Sequence, residues 1–243
     1  DVMVAGGRVG PDDEGISFAH ALATLKEQGS ALLVVGSVPE EMFATASTAM
    51  LGDPDADPPR RRLVVTTEPN RESAHRRLRR TGPLSSEYAR VITRGEQARS
   101  AATGSRPLDE VTPRTHGVDG SIPDLGTTVA EVIEEFDLFA GGLEPAEFRM
   151  AFDCLPTLLA EYGRRTAFRV LHVMSAQARS VSGLVHFRLP RDVTSEVVGL
   201  FQPLFDATVE LRIDGDRLDQ RWHFRDRDLT SDWLPVAERP QKK

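Results

Sequence analysis

At 243 residues, with 40% apolar and 28% charged side chains and a formal charge of −7, the chain has the makeup of a globular protein with a sizeable core and no general affinity for nucleic acid. Its longest apolar runs, such as residues 31–36, fall far short of the ~20 residues that cross a bilayer, and no basic segment leads into an apolar one at the start, so neither a membrane span nor a secretory leader is expected. A single cysteine, Cys154, can form neither an internal disulfide nor a cysteine zinc site, which makes the cytoplasm the expected compartment.

Residues 1–15, with Gly6-Gly7 and Pro11-Asp12-Asp13-Glu14, carry no amphipathic period and are expected to be loose. From Ser17, a candidate N-cap, Phe18, Leu22 and Leu25 recur at helical spacing as far as the stop at Gly29. Residues 31–36 are continuously apolar, as a strand buried on both faces of a parallel sheet must be, and a helix follows over about 40–50. Beyond the turn-rich stretch 52–59 and three arginines, the spacing predicts a strand over 63–67, a helix over 71–80 and a strand over 90–94. Ser/Thr/Gly/Pro-rich sequence over about 98–124 reads as an irregular insertion. Helix resumes at Thr127, with Val129, Val132, Ile133 and Phe136 on one face.

A strand is predicted over 148–153, then a helix over about 166–180 with Phe168, Val170, Leu171 and Met174 inward. A strand over 184–189, a helix over 195–205 and a strand over 207–213 follow; Asp214-Gly215-Asp216 then turns the chain back over 217–224. Strands alternating with helices and ending in a hairpin imply a three-layer α/β fold: a mostly parallel twisted sheet, helices on both faces, and a C-terminal antiparallel hairpin. One domain is expected over 16–235, with a flexible tail over 236–243.

In open parallel sheets ligands bind where strands end and helices begin. After the first strand stands Gly36-Ser37-Val38-Pro39-Glu40-Glu41-Met42-Phe43, with the position and length of a phosphate loop of the form Gly-x-x-x-x-Gly-Lys-Ser/Thr. Its second glycine is Glu41, its lysine Met42 and its magnesium-binding hydroxyl Phe43; two glutamates repel a triphosphate and Pro39 lacks an amide donor. Of the 30 basic residues only Lys26, Lys242 and Lys243 are lysine, so no other loop supplies the missing ammonium. The alternative is a plain helix with an acidic first turn, which the macrodipole favours.

The segment Val64-Val65-Thr66-Thr67-Glu68-Pro69-Asn70 resembles the part of KaiC-type RecA-superfamily ATPases where a strand ends in a pair of catalytic glutamates; Glu68 matches the first and Pro69 replaces the second. Asp153, followed by Cys154-Leu155, is similar to that family's magnesium-side aspartate, and residues 168–174 resemble the helix that comes next. The texture of residues 141–149, 204–212 and 232–235 resembles haloarchaeal KaiC-like proteins of no assigned role, which fits the lysine scarcity. The resemblance implies a RecA/P-loop-like fold over about 16–234; the departures at Glu41, Met42, Phe43 and Pro69 imply no hydrolysis, while Glu68 and Asp153 leave weak ATP or magnesium binding open. The plainer reading of Asp153 is a buried strand-end carboxylate that caps a neighbouring helix.

Arg60, Arg61, Arg62, Arg71, Arg76, Arg77, Arg79 and Arg80 form the one dense basic stretch and are candidates for phosphate contact. The alternative has Asp53, Asp55, Asp57 and Glu72 neutralising several of them and the rest forming a solvated helix face. The six histidines show no metal spacing, no Gly-x-Ser-x-Gly elbow occurs, and Cys154 reads as an inert core thiol. The expectation is therefore a non-hydrolysing pseudo-ATPase scaffold, with no resident cofactor or metal, that works through a protein partner or self-association. The alternative is a nucleotide- or nucleic-acid-binding module using the arginine cluster and Asp153.

Overall fold

The structure, a computed structural model, describes residues 11–95, 112–119, 121–226 and 229–236, with the side chains of 11–17 excepted. The chain opens with α1 (Pro11–Gln28), β1 (Ser30–Val35), α2 (Glu40–Met50), β2 (Arg61–Thr67), α3 (Arg71–Arg79) and β3 (Ala89–Arg94). It continues with β4 (Arg114–Val118), α4 (Ile122–Ala140), β5 (Phe148–Phe152), α5 (Leu155–Ser180), β6 (Leu184–Leu189) and α6 (Glu196–Phe201). The hairpin β7 (Ala207–Asp214) and β8 (Arg217–Phe224) follows, then two short strands, β9 (Leu229–Thr230) and β10 (Leu234–Pro235). All ten strands join one sheet in the order β10-β8-β7-β1-β6-β5-β2-β3-β4, with β9 also on β8. From β7 to β4 every neighbouring pair is parallel, and β8 runs antiparallel to β7.

The three layers follow from the pleat, which sends alternate side chains to opposite faces. On one face Leu33 and Val35 of β1, Phe148, Met150 and Phe152 of β5 and Phe187 of β6 pack under α4, α5 and α6. On the other, Leu32 and Val34 of β1 and Val209 of β7 lie under α1 and α2, while Val64 of β2 and Val91 of β3 lie under α3. The second face thus carries two separate apolar clusters, and polar side chains fill the line between them. Gly29, at φ 74, ends α1 in a left-handed conformation, at the stop expected there. No helix among the described residues is long and apolar enough to cross a membrane.

Several boundaries differ from the sequence expectation. The first helix starts at Pro11, not at Ser17, because proline's fixed φ suits the opening position of a helix. The expected irregular insertion over 98–124 contains β4, and α4 begins at Ile122, capped by Ser121, whose Oγ accepts from the Asp124 amide. Residues 96–111 and 120, within that expectation, lie outside the described residues, as do 1–10 and the expected tail from 237 on. The helix expected from about 166 starts at Leu155 and is broken only at Gly163, where the backbone leaves the helical region. Phe168, expected inward, is 44% exposed, because the burial stripe of α5 runs through Ala167, Val170, Leu171 and Met174. The helix expected over 195–205 ends at Phe201 and tightens into a 3-10 turn over Gln202–Leu204.

Candidate functional site

The loop between β1 and α2 occupies the C-terminal end of the sheet. Gly36 sits at φ 149, and a Cβ there would come within 2.6 Å of the Leu211 carbonyl oxygen on β7, so the loop is pressed against the neighbouring strand. Pro39 precedes α2, and its carbonyl accepts from the amides of Met42 and Phe43 at 3.0 and 3.4 Å. Ser37, Glu40 and Glu41 are exposed, and Glu40 is ion-paired with Arg188 of β6. Phe43 is buried in the core cluster, Met42 packs against the same cluster, and the Arg188 guanidinium lies 5.9 Å from the centre of the Phe43 ring. The two positions where a phosphate loop carries its lysine and hydroxyl therefore point into the apolar interior.

Behind this loop runs a buried polar seam. Asp153 stands at the end of β5 and His186 in β6; Ser47 comes from α2 and Arg77 from α3. Arg77 donates from Nη2 to Asp153 Oδ2 and from Nη1 to Ser47 Oγ at 2.7 Å, and Ser47 Oγ lies 2.8 Å from His186 Nε2. Side-chain exposure is only 7% for Arg77 and 9% for Asp153. Burial, followed by the nearby cations of Arg77 and Arg149, holds His186 down at about 3, so its ring is neutral near pH 7. The space left among these side chains is about 10 Å³, room for no more than one water. Asp153 makes no side-chain cap on α5, whose N-cap is Cys154, so the capping reading gives way to an ion pair between the end of β5 and α3.

Glu68 lies in a 3-10 turn, Glu68–Asn70, that continues β2, and pairs with Arg71 at 2.7 Å. It belongs to a different charge pair from Asp153. Near it, at the C-terminal ends of β2 to β4, Thr67, Arg94, Asp119, Glu161 and Tyr162 border an open crevice of about 620 Å³. There Arg94 is held by Glu161 at 2.7 Å and by the Tyr162 hydroxyl at 2.8 Å.

The arginine stretch does not form one patch. Arg61 and Arg62 belong to β2, covered on both faces, and both are buried. Arg61 pairs with Glu147 at 2.9 Å and its guanidinium lies 5.0 Å from the centre of the Tyr88 ring. Arg62 is fully buried and donates to the carbonyls of Arg60, Leu78 and Pro83 and to Thr81 Oγ1; burial lowers it to about 10. Arg60 is half-buried. Arg76, Arg79 and Arg80 are exposed and, with Arg77, line a groove of about 690 Å³ between α2 and α3, facing Glu40, Glu41 and Glu72. The solvated helix face expected for the cluster holds for these three alone. Asp53, Asp55 and Asp57 form no ion pair with Arg61, Arg62 or Arg77; Glu147 and Asp153 pair with Arg61 and Arg77, and Arg62 bonds uncharged oxygens instead.

The roles of Ser47, His186 and Arg188 were not singled out from the sequence. The signal was the alternation in β5 and β6, where Arg149, Asp153, His186 and Arg188 interrupt one face of strands that are otherwise apolar. Among the described residues no three His, Cys, Asp or Glu side chains gather in a group that could hold a metal.

Fold and site together define an α/β domain whose strand-end site is filled by its own side chains. The chain belongs to a family of unknown function, DUF7504, whose model matches residues 29–211, from the end of α1 into β7. That span contains the Gly36 loop and the whole polar seam. No curated protein matches the chain.

Proposed function

We propose that the protein is a non-hydrolysing RecA/KaiC-like pseudo-ATPase that serves as a regulatory or interaction scaffold through a protein partner or a second copy of itself. The observation that carries this reading is the Arg77 guanidinium on Asp153: the carboxylate that resembles a magnesium-side aspartate is neutralised from within, in a space that admits at most a water. The inward Phe43 and the Glu40–Arg188 pair support it, since neither leaves a cation at the loop for a triphosphate. Leu138 and Phe139, exposed on the last turn of α4, support a partner surface.

The rival reading, a module that grips phosphate with the arginine cluster and Asp153, has less behind it. Three of its cations are buried, and the exposed three share their groove with three glutamates. The test is thermal unfolding in molar salt with and without millimolar Mg-ATP. A ligand present at a hundred times its Kd adds about 2.7 kcal/mol, which at ~2–4 °C per kcal/mol for a chain of this size moves the midpoint by several degrees. No shift is expected. A shift of that size, or magnesium-dependent ATP turnover lost in Glu68→Gln, overturns the proposal.

A further inference from the structure

At the opposite end of the sheet from the Gly36 loop, a cavity of about 320 Å³ opens between the C-terminal ends of α1 and α2 and the starts of β5 and β6. Its size falls at the lower end of the ~300–1,000 Å³ range of small-molecule sites. Leu22, Leu25, Met50 and Trp222 form its apolar wall.

The charge in it is one-sided. Lys26, Arg60 and Arg149 line the cavity against a single carboxylate, Asp53, although the protein as a whole is acidic. Lys26 is the one lysine among the described residues. Arg149 Nε donates to the Ala146 carbonyl at 2.9 Å, and neither Arg149 nor Arg60 is paired with a carboxylate among the described residues. Burial, then repulsion from Arg60, lowers Arg149 to about 9, as befits a guanidinium that lacks a counter-ion. His186 borders the same cavity as a neutral ring. The two largest openings carry carboxylates of their own: Arg94 pairs with Glu161 in one, and Arg79 pairs with Glu72 in the other, where Glu41 also lines the wall.

We propose that this cavity binds a small apolar anion, a medium-length acyl or aryl carboxylate, with the carboxylate on Arg149 and Arg60 and the apolar body against Leu22, Leu25, Met50 and Trp222. Dispersion and burial supply the affinity of the apolar end, and the unpaired guanidiniums select the charged end. The site does not depend on the reading of the Gly36 loop.

The test titrates the full chain with decanoate, 1-decanol and inorganic phosphate, followed by calorimetry and by tryptophan emission. Decanoate is expected to bind saturably, with decanol at least about tenfold weaker for want of the charge-assisted bond and phosphate weaker again for want of the apolar body. Arg60→Gln and Arg149→Gln each weaken decanoate about tenfold, while Arg80→Gln, which does not line the cavity, leaves it unchanged. Because Arg149 also holds the Ala146 carbonyl, Arg60→Gln, on a half-buried side chain with no such bond, carries the test if Arg149→Gln does not fold. Absence of saturable decanoate binding, decanol or phosphate binding as tightly as decanoate, or wild-type affinity in Arg60→Gln overturns the proposal.

Discussion

Replacing Asp153 with asparagine keeps the shape of the side chain and removes the carboxylate that answers Arg77. Both partners are less than a tenth exposed, so solvent does not take over the stranded guanidinium. Breaking a buried pair from one side costs about 3–5 kcal/mol, which lowers the unfolding midpoint of a chain this long by roughly 6–20 °C. Arg77→Met strands Asp153 instead and costs a similar amount, with Ser47 Oγ also losing a donor. Combining the two in Arg77→Met/Asp153→Asn removes both charges, so its loss is smaller than the sum of the single losses, with a coupling energy of about 2 kcal/mol. Urea unfolding followed by circular dichroism on the four proteins gives the cycle. Single losses below about 1 kcal/mol, the size for exposed pairs, or strict additivity would refute the reasoning that this is a desolvated pair filling the site.

Acidification tests the same seam from His186. The unfolded chain takes up a proton there near pH 6.5 and the folded chain only near 3, so the contribution is whole above 6.5 and is lost as the pH falls towards 3. The expected slope is about 1.4 kcal/mol per pH unit within that window, steepened by His116, which burial also holds below its ordinary range. His186→Gln should flatten the curve by about one proton; an unchanged slope between pH 6.5 and 5 counts against a buried neutral ring. Cys154 is fully buried and its thiol is pushed well up by desolvation, so a thiol reagent should label it no faster than the chain unfolds. Labelling within minutes in buffer would contradict that placement.

Strands β1, β2 and β3 were legible because each holds a short apolar, β-branched run in a sheet covered on both sides. Strand β4 was hidden by its place at the sheet edge: Arg114, Thr115 and Gly117 face outward, so nothing in its composition separates it from a loop. Pro123 and Pro156 each sit in the first turn of a helix, where a missing amide costs nothing. The Gly36 loop was placed correctly from its residues, and so was the burial of Cys154. The arginine cluster was read as surface because charge is usually exposed. Consecutive residues of a strand point to opposite faces, however, so in a sheet covered on both sides Arg61 and Arg62 had no solvent to face. Which carboxylates answered them was set by β5 and the loops, far away in sequence, and no local pattern carries that.

Arg62 bears on how the fold responds to salt. Its four partners are three carbonyls and a hydroxyl, all uncharged, and they gather the start of β2, the end of α3 and the turn beyond it around a single planar group. Dissolved ions weaken attraction between opposite charges on the surface, but a cation bonded to neutral oxygens inside the protein offers them no pair to screen. The join between the second strand and the third helix is thus fastened by a device indifferent to ionic strength. It also needs the donor fork of an arginine: an ammonium, with three donors, would leave one of the four oxygens unmet.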